Sequence, residues 1–268
     1  MYPYAVIYRH QIYRMITSAF FHGGLMHIGM NMLSYAALGK TLENHLGTLF
    51  LAFTVVNSVV YSSFLYLFIS VIASMIGYST WMTTQSLGFS GVLFHLLVLE
   101  SYRNPNASHS IFGIITVSSK IYPWAMLLVI QFLLPNISFL GHFSGILTGL
   151  LQLNGYLKYT IPSPESLRMY DDLEGLTFIT NCPNFVDTPS NDQYVMFMRT
   201  SGENASVGQM FRGAIIVIQN LWDTIMFIVL GRRRQDDERP VHESYSILNE
   251  DEWNGIPSQS EIQQSEMV

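Results

Sequence analysis

The stretch QSLGFSGVLF at residues 85–94 places a serine between two glycines, where an uncharged polar loop enters an apolar helix. Ser90 falls in the first turn of that predicted helix, where unpaired backbone N–H groups and the positive end of the helix dipole favour nearby negative charge. Such a serine can act as a nucleophile whose oxyanion accepts hydrogen bonds from backbone N–H groups. The same pattern also fits an N-cap serine followed by Gly91 as a helix-packing glycine. This stretch alone leaves both interpretations open.

The chain divides by composition into an apolar part and a polar, acidic part. Of its 268 residues, 49% are hydrophobic and only 12% are charged, compared with roughly 25% charged residues in soluble domains. Six basic and two acidic side chains occur through residue 158, and seven basic and seventeen acidic ones follow. We therefore predict a bilayer-embedded domain over 1–158. The overall acidity argues against nucleic-acid binding, and a single cysteine excludes an intramolecular disulfide and a multi-cysteine metal site.

The predicted fold is an all-α membrane protein with about five spans. Residues 1–21 are rich in tyrosine and contain two arginines, a composition typical of a membrane interface. Residues 111–119 are left as loop or extended chain. The predicted apolar helices cover 25–46, 49–76, 90–99, 121–134 and 139–157.

The placement of lysine and arginine predicts the orientation of the bundle. The turn at 40–48, the loop at 101–120 and the segment after 157 all contain basic residues, whereas the loops at 77–87 and 135–138 contain none. Because basic loops stay in the cytoplasm, we place the first set there and expect a cytoplasmic C-terminal tail. The start of the serine-bearing helix then lies on the non-cytoplasmic side.

The remainder of the chain is predicted to contain a polar linker over 159–212 and a disordered acidic tail over 232–268. Residues 213–231 are apolar but include Asp223 and are followed by arginines. A spanning helix would place this aspartate in lipid at a cost of roughly 2.5–3.5 kcal/mol. We therefore favour an amphipathic helix on the cytoplasmic leaflet, with an extra membrane helix as the alternative. The acidic tail is a candidate binding segment for a cytosolic partner.

The last predicted span contains a histidine next to a glycine pattern. Gly145 and Gly149 follow His142 on one helix face, and this four-residue spacing lets membrane helices pack backbone to backbone. The helix that begins at Ser90 and Gly91 offers a matching small patch. We therefore expect His142 to lie beside Ser90 and to act as its base.

Further polar side chains are expected on the same side of the membrane. His27 and Asn31 share one helix face, with His22 just before that helix. Since such groups are costly in lipid, we expect them to point into the protein, where donors can stabilise the oxyanion of a tetrahedral intermediate. No acidic residue lies near Ser90 or His142 in their helices, which predicts a dyad rather than a Ser-His-Asp triad.

These motifs resemble those of the rhomboid intramembrane serine proteases. The match covers roughly residues 8–157, and residues 88–94 most resemble the endoplasmic-reticulum rhomboid-like branch. A family Trp-Arg motif stands here as Tyr13-Arg14, and Glu43 matches a family glutamate at the cytoplasmic end of the next helix. The three main signatures are H-x4-H-x3-N at His22, His27 and Asn31, G-x-S-G at Gly88, Ser90 and Gly91, and H-x2-G-x3-G at His142, Gly145 and Gly149.

The resemblance implies a function and a role for each matched residue. Ser90 is the implied nucleophile and His142 the general base and acid, while His27, Asn31 and the Ser90 backbone N–H form the oxyanion hole with His22 nearby. The implied activity is cleavage of single-span membrane proteins in or near their transmembrane segments. It requires neither cofactor nor metal, and it points to the endoplasmic reticulum or another secretory-pathway membrane.

The sequence departs from the family pattern in two places, and the second departure supports an alternative function. Phe94 stands where many bacterial members have a tyrosine stacked on the catalytic histidine. A rhomboid core has six spans, and this sequence begins in the first loop, so the first core span is expected to be missing. The alternative is a catalytically inactive rhomboid-like protein that binds membrane clients in quality control. The missing span favours it, whereas the presence of both Ser90 and His142 weighs against it.

Overall fold

A computed structural model describes residues 1–189 of the chain. The segments predicted over 213–231 and 232–268 lie outside the described residues. The helices are α1 (Pro3–Tyr8), α2 (Arg14–Thr17), α3 (Leu25–Leu46), α4 (Thr48–Met75), α5 (Thr80–Thr83), α6 (Ser90–Arg103), α7 (Tyr122–Leu133), α8 (Phe139–Leu153), α9 (Pro164–Asp171) and α10 (Thr177–Thr180), with a 3-10 turn at Glu174–Leu176 and strands β1 (Ser108–Ile111) and β2 (Ile115–Ser118) between α6 and α7.

Helix α6 lies at the centre of the bundle and contacts α3, α4, α7 and α8. Its Leu96, Val98 and Leu99 are fully buried and belong to one core with Phe50 of α4 and Ile146 of α8. A helix that is packed on several sides must be apolar around most of its circumference, which explains why residues 91–99 are apolar except for the fully buried His95. The first residue of this central helix is the serine of the opening motif.

The apolar helices differ in length. Within residues 1–189, α4 is the one helix of at least 18 residues that is long and apolar enough to cross a membrane, and α7 and α8 are shorter apolar helices. At a rise of about 1.5 Å per residue, the 28 residues of α4 exceed a hydrocarbon core of roughly 30 Å. The helical architecture expected from the sequence is confirmed, and the number of spans stays a prediction.

Several predicted boundaries need correction. The helix predicted to end at residue 99 continues to Arg103, whose guanidinium pairs with Glu100 at 2.7 Å. The last helix ends at Leu153 instead of 157, close to Gly155, which has a φ of 76° and a backbone conformation that ends helices. The loop predicted over 77–87 contains the short helix α5.

The stretch left open between α6 and α7 forms a β-hairpin. Strands β1 and β2 are antiparallel, with Ile111 opposite Ile115. Phe112 and Gly113 at the tip have φ values of 50° and 73°, as in the type I′ turns that match the right-handed twist of paired strands. Apart from this hairpin, the regular structure of residues 1–189 is helical.

The described part of the predicted polar linker, residues 159–189, packs back onto the bundle. The backbone N–H of Thr48 donates to the Val186 carbonyl, and the Val186 N–H donates to Thr48 Oγ1, both at 2.9 Å. Thr48 Oγ1 donates in turn to Glu43 Oε1 at 2.8 Å. Leu167 of α9 is fully buried in the main core. These contacts tie the segment after α8 to the turn between α3 and α4.

Candidate active site

Ser90 and His142 are brought together from two helices. Ser90 Oγ lies 2.7 Å from His142 Nε2, although the residues are 52 positions apart in sequence. The imidazole is 5% exposed and stacks on Phe94, with ring centroids 4.7 Å apart and an interplanar angle of 28°. A hydroxyl within hydrogen-bonding distance of a histidine held in place by packing has the geometry that proton transfer to a base requires.

Glycines allow the two helices to approach this closely. A Cβ built on Gly145 of α8 would lie 2.1 Å from the carbonyl oxygen of Gly91 in α6. One built on Gly149 would lie 2.8 Å from Val98 Cβ. Because real Cβ atoms need more space than this, α6 and α8 touch backbone to backbone only where a side chain is absent. The packing expected from the glycine spacing is present in the structure.

Two histidines contact the loop that leads into Ser90. Gly88 has a φ of 114°, and a Cβ at this position would lie 2.7 Å from the His27 ring. His22 Nε2 accepts a hydrogen bond from the Phe89 N–H at 3.3 Å. The two imidazoles lie edge to face, with centroids 5.0 Å apart. A glycine is therefore required at position 88 for two reasons: its backbone conformation favours glycine, and His27 occupies the space that a Cβ would fill.

The hydrogen bonds of His27 and Asn31 show which of their polar atoms are already paired. His27 Nδ1 accepts from the Gly23 N–H at 3.3 Å, so a neutral ring has its proton on Nε2, the atom next to Gly88. Asn31 is 4% exposed, and its Nδ2 donates to the His27 carbonyl at 2.7 Å, one turn back along α3. One amide hydrogen of Asn31 is thus occupied, and the second makes no hydrogen bond within residues 1–189.

Two of the motif residues lie elsewhere. Arg14 Nε donates to Gln11 Oε1, and the guanidinium carbon lies 5.7 Å from the centre of the Tyr13 ring. Glu43 accepts from Thr48 at the turn between α3 and α4, at the opposite end of α3 from His27. The structure gives both residues local partners outside the Ser90–His142 pair.

Residues beside Ser90 that the sequence prediction missed come from α4, which is predicted above only as an uncharged apolar span. Ser62 lines a cleft at Ser90 together with Ser18 and Ser86 from the loops and Gly141 from α8. The available signal was a polar residue at every fourth position of α4, which places all of them on one helix face. These residues are Thr54, Ser58, Ser62, Tyr66 and Ser70.

This geometry defines a helical bundle with a serine–histidine pair at one end, and comparison with known proteins assigns its family. Residues 9–158 match the family model described as the Rhomboid domain. The chain therefore belongs to the rhomboid family, an integral-membrane family, and the resemblance and the helical membrane fold predicted from the sequence are confirmed.

Individual relatives are similar at moderate identity. The chain is 33% identical over 190 residues to Rhomboid-like protein 15 of Arabidopsis thaliana, an overlap covering 69% of this chain and 46% of the relative. It is 34% identical over 146 residues to Rhomboid-related protein 4 of Mus musculus, covering 54% and 46%. It is 29% identical over 217 residues to Rhomboid-type serine protease 2 of Neurospora crassa, covering 75% and 71%. The chain thus spans about half the length of the first two, and no solved structure matches it.

The glycine contact yields a prediction. Replacing Gly145 with alanine would force α8 away from α6, because its Cβ meets the Gly91 carbonyl oxygen. We expect destabilisation at or above the upper end of the roughly 1–3 kcal/mol typical of overpacking, measured by unfolding of the full chain in detergent micelles. The matched control is Gly29→Ala in α3, where the added Cβ has no heavy atom within 4 Å. Equal stability of the two variants would contradict the packing described here.

Proposed function

We propose that this protein is an intramembrane serine endopeptidase that cleaves single-span membrane proteins in or near their transmembrane segments. The supporting observation is the 2.7 Å contact between Ser90 Oγ and His142 Nε2, at a histidine stacked on Phe94. Membership of the rhomboid family agrees with this activity. The printed name of the Neurospora crassa relative, a rhomboid-type serine protease, also agrees with it.

The reaction follows from the roles available to the two residues. His142 accepts the proton of Ser90 Oγ while that oxygen attacks the carbonyl carbon of the scissile peptide bond. The resulting tetrahedral intermediate collapses when His142 donates this proton to the leaving amine, and an acyl-enzyme remains on Ser90. Water activated by His142 then hydrolyses the ester and regenerates the free serine. No residue other than this dyad transfers a proton in this scheme.

The oxyanion is stabilised by hydrogen bonds from the loop and from α3. The backbone N–H of Ser90 lies in the first turn of α6, where it has no partner within the helix. His27 Nε2 and the second amide hydrogen of Asn31 are the side-chain donors in this proposal. His22, through its bond to the Phe89 N–H, positions the loop rather than the oxyanion.

The cleft beside Ser90 favours a small side chain at the cleaved position. Ser18, Ser62 and Ser86 line it together with Gly88 and Gly141. The serine hydroxyls can form hydrogen bonds with a small polar side chain or with the peptide backbone, whereas a large apolar side chain would leave these hydroxyls unpaired. We therefore propose substrates with a small residue at this point and a locally unwound membrane segment.

Other parts of the proposal come from the sequence. An endoplasmic-reticulum or other secretory-pathway location rests on residues 88–94, and the cytoplasmic position of the tail rests on the basic loops. A cytosolic partner of the acidic tail is likewise proposed from the composition of residues 232–268. Product formation by the native chain separates the protease from the inactive, client-binding alternative.

Ser90→Ala should abolish cleavage of a single-span substrate that carries helix-destabilising residues in its membrane segment. Removal of the nucleophile from a catalytic unit of this kind lowers kcat on the order of 10⁴–10⁶-fold. The measurement is product formation by the full chain in proteoliposomes. The matched control is Ser101→Ala, which removes a buried hydroxyl with no hydrogen-bond partner in residues 1–189 from the far end of the same helix.

The control should cleave at close to the native rate. Cleavage that persists in Ser90→Ala would refute a Ser90 nucleophile. Binding of the substrate by the native chain without any product would favour the client-binding protein instead.

Asn31→Ala tests the side-chain part of the oxyanion hole. Loss of one such donor typically lowers kcat about 10²–10³-fold, and we expect this decrease with little change in KM because the hydrogen bond forms mainly in the transition state. Asn44→Ala, at an exposed position near the other end of α3, is the control. An unchanged kcat, or an effect confined to KM, would remove Asn31 from the proposed oxyanion hole.

A further inference from the structure

The β-hairpin between α6 and α7 has an apolar tip that projects from the protein. Phe112 is 67% exposed and Ile114 is 83% exposed, and Gly113 lies between them. Phe112 has a φ of 50°, a conformation that favours glycine or asparagine, so a bulky apolar residue is unusual here. Neither the fold of the bundle nor the chemistry of Ser90 requires this side chain.

The two faces of the hairpin, each formed by both strands, differ in their burial. Ile111 is buried and Ile115 and Val117 are half-buried, whereas Ser110 and Thr116 on the other face are exposed. The hairpin is also fixed to the start of α7, because His109 stacks on Tyr122 with centroids 4.7 Å apart and its Nε2 lies 2.7 Å from Ser119 Oγ. The exposed tip is therefore held in place by an ordered base.

The hairpin joins two short helices at the end of the bundle opposite Ser90. α6 has 14 residues and α7 has 12, which correspond to roughly 21 Å and 18 Å at the rise of an α-helix. Both are shorter than a hydrocarbon core of roughly 30 Å. Since α6 begins at the Ser90 end of the bundle, the hairpin lies at the opposite end, beside a helix too short to cross the hydrocarbon core by itself.

The composition of this connection agrees with a position at the membrane–water interface. Residues 104–119 contain no lysine, arginine, aspartate or glutamate, while Arg103 and Lys120 stand directly on either side of them, so an uncharged stretch is flanked by the basic residues that place this connection on the cytoplasmic side. Tyr122 and Trp124 at the start of α7 are half-buried aromatic residues, as is typical of the membrane–water interface. A second protein would need a complementary surface, whereas lipid surrounds the bundle of a rhomboid-family membrane protein in any case.

We propose that the hairpin tip, Phe112–Gly113–Ile114, inserts into the interfacial region of the bilayer and anchors the α6–α7 connection there. The occupant of the apolar tip is thus lipid. Burial of exposed apolar side chains at the headgroup boundary is the same interaction that holds amphipathic segments on membranes. Through the contact of His109 with Tyr122, the anchor also fixes the depth of the first turn of α7.

The test places an environment-sensitive fluorophore on the tip of the full chain. The exposed Cys182 is first replaced by serine, and Phe112→Cys, Ile114→Cys or the control Thr116→Cys is labelled with a nitrobenzoxadiazole dye. Thr116 lies in the same hairpin but on its exposed polar face. Each labelled protein is reconstituted into phosphatidylcholine vesicles. Emission is recorded with aqueous iodide or with lipids that carry a nitroxide near the headgroup.

Insertion predicts blue-shifted emission at both tip positions, quenching by the lipid nitroxide and protection from iodide. The dye at residue 116 should remain accessible to iodide. Equal iodide quenching at the tip and at residue 116 would overturn the proposal. A blue shift at the tip without nitroxide quenching would also overturn it, because it would mean that protein and not lipid covers the tip. If one of the two tip substitutions disturbs the turn, the label at the other tip position still reports on insertion.

Discussion

The backbone contact between Gly91 and Gly145 is the constraint on which the site depends. A methyl group on Gly145 would lie 2.1 Å from a carbonyl oxygen, so α6 and α8 can only adopt their present separation with hydrogen at this position. Ser90 precedes Gly91 by one residue and His142 precedes Gly145 by three. The same contact that packs the helices therefore brings Oγ and Nε2 to 2.7 Å. In a bilayer, where apolar side chains gain little from leaving lipid, close packing of this kind is a main source of helix association.

The second feature of the bundle is a set of polar groups enclosed by apolar helices. His142, Asn31 and the polar face of α4 are buried or half-buried, and each would be costly in contact with lipid. Packing against neighbouring helices removes them from lipid and leaves a cleft lined by serine hydroxyls at Ser90. Hydrolysis inside a membrane needs such a cleft, because both water and a polar peptide bond must reach the nucleophile.

Most of the site could be predicted because its signals are local and spaced by helical geometry. The four-residue spacing of Gly145 and Gly149 and the position of Ser90 at a helix start were sufficient to pair the two helices. The contacts of Glu43 with Thr48 and of Thr48 with Val186 could not be predicted, since they depend on a polar segment that returns to the bundle from far along the chain. The hairpin could not be predicted because four-residue strands are too short to show a clear alternation of apolar and polar residues. In addition, its turn has a phenylalanine where asparagine or glycine is usual. The polar face of α4 could have been predicted from its four-residue spacing, but its residues are uncharged and lie within a long apolar segment.

The central claim is that Ser90 is a nucleophile activated by His142, and the most direct test is covalent labelling. The full chain in proteoliposomes is treated with a fluorophosphonate, which phosphonylates a serine oxygen with loss of fluoride, and the modified residue is identified by peptide mass spectrometry. Our account predicts an adduct on Ser90, with no adduct on the neighbouring Ser62 and Ser86, and its loss in His142→Ala because the base that activates the hydroxyl is removed. Absence of the adduct from the folded native chain, or an equal yield without His142, would contradict it.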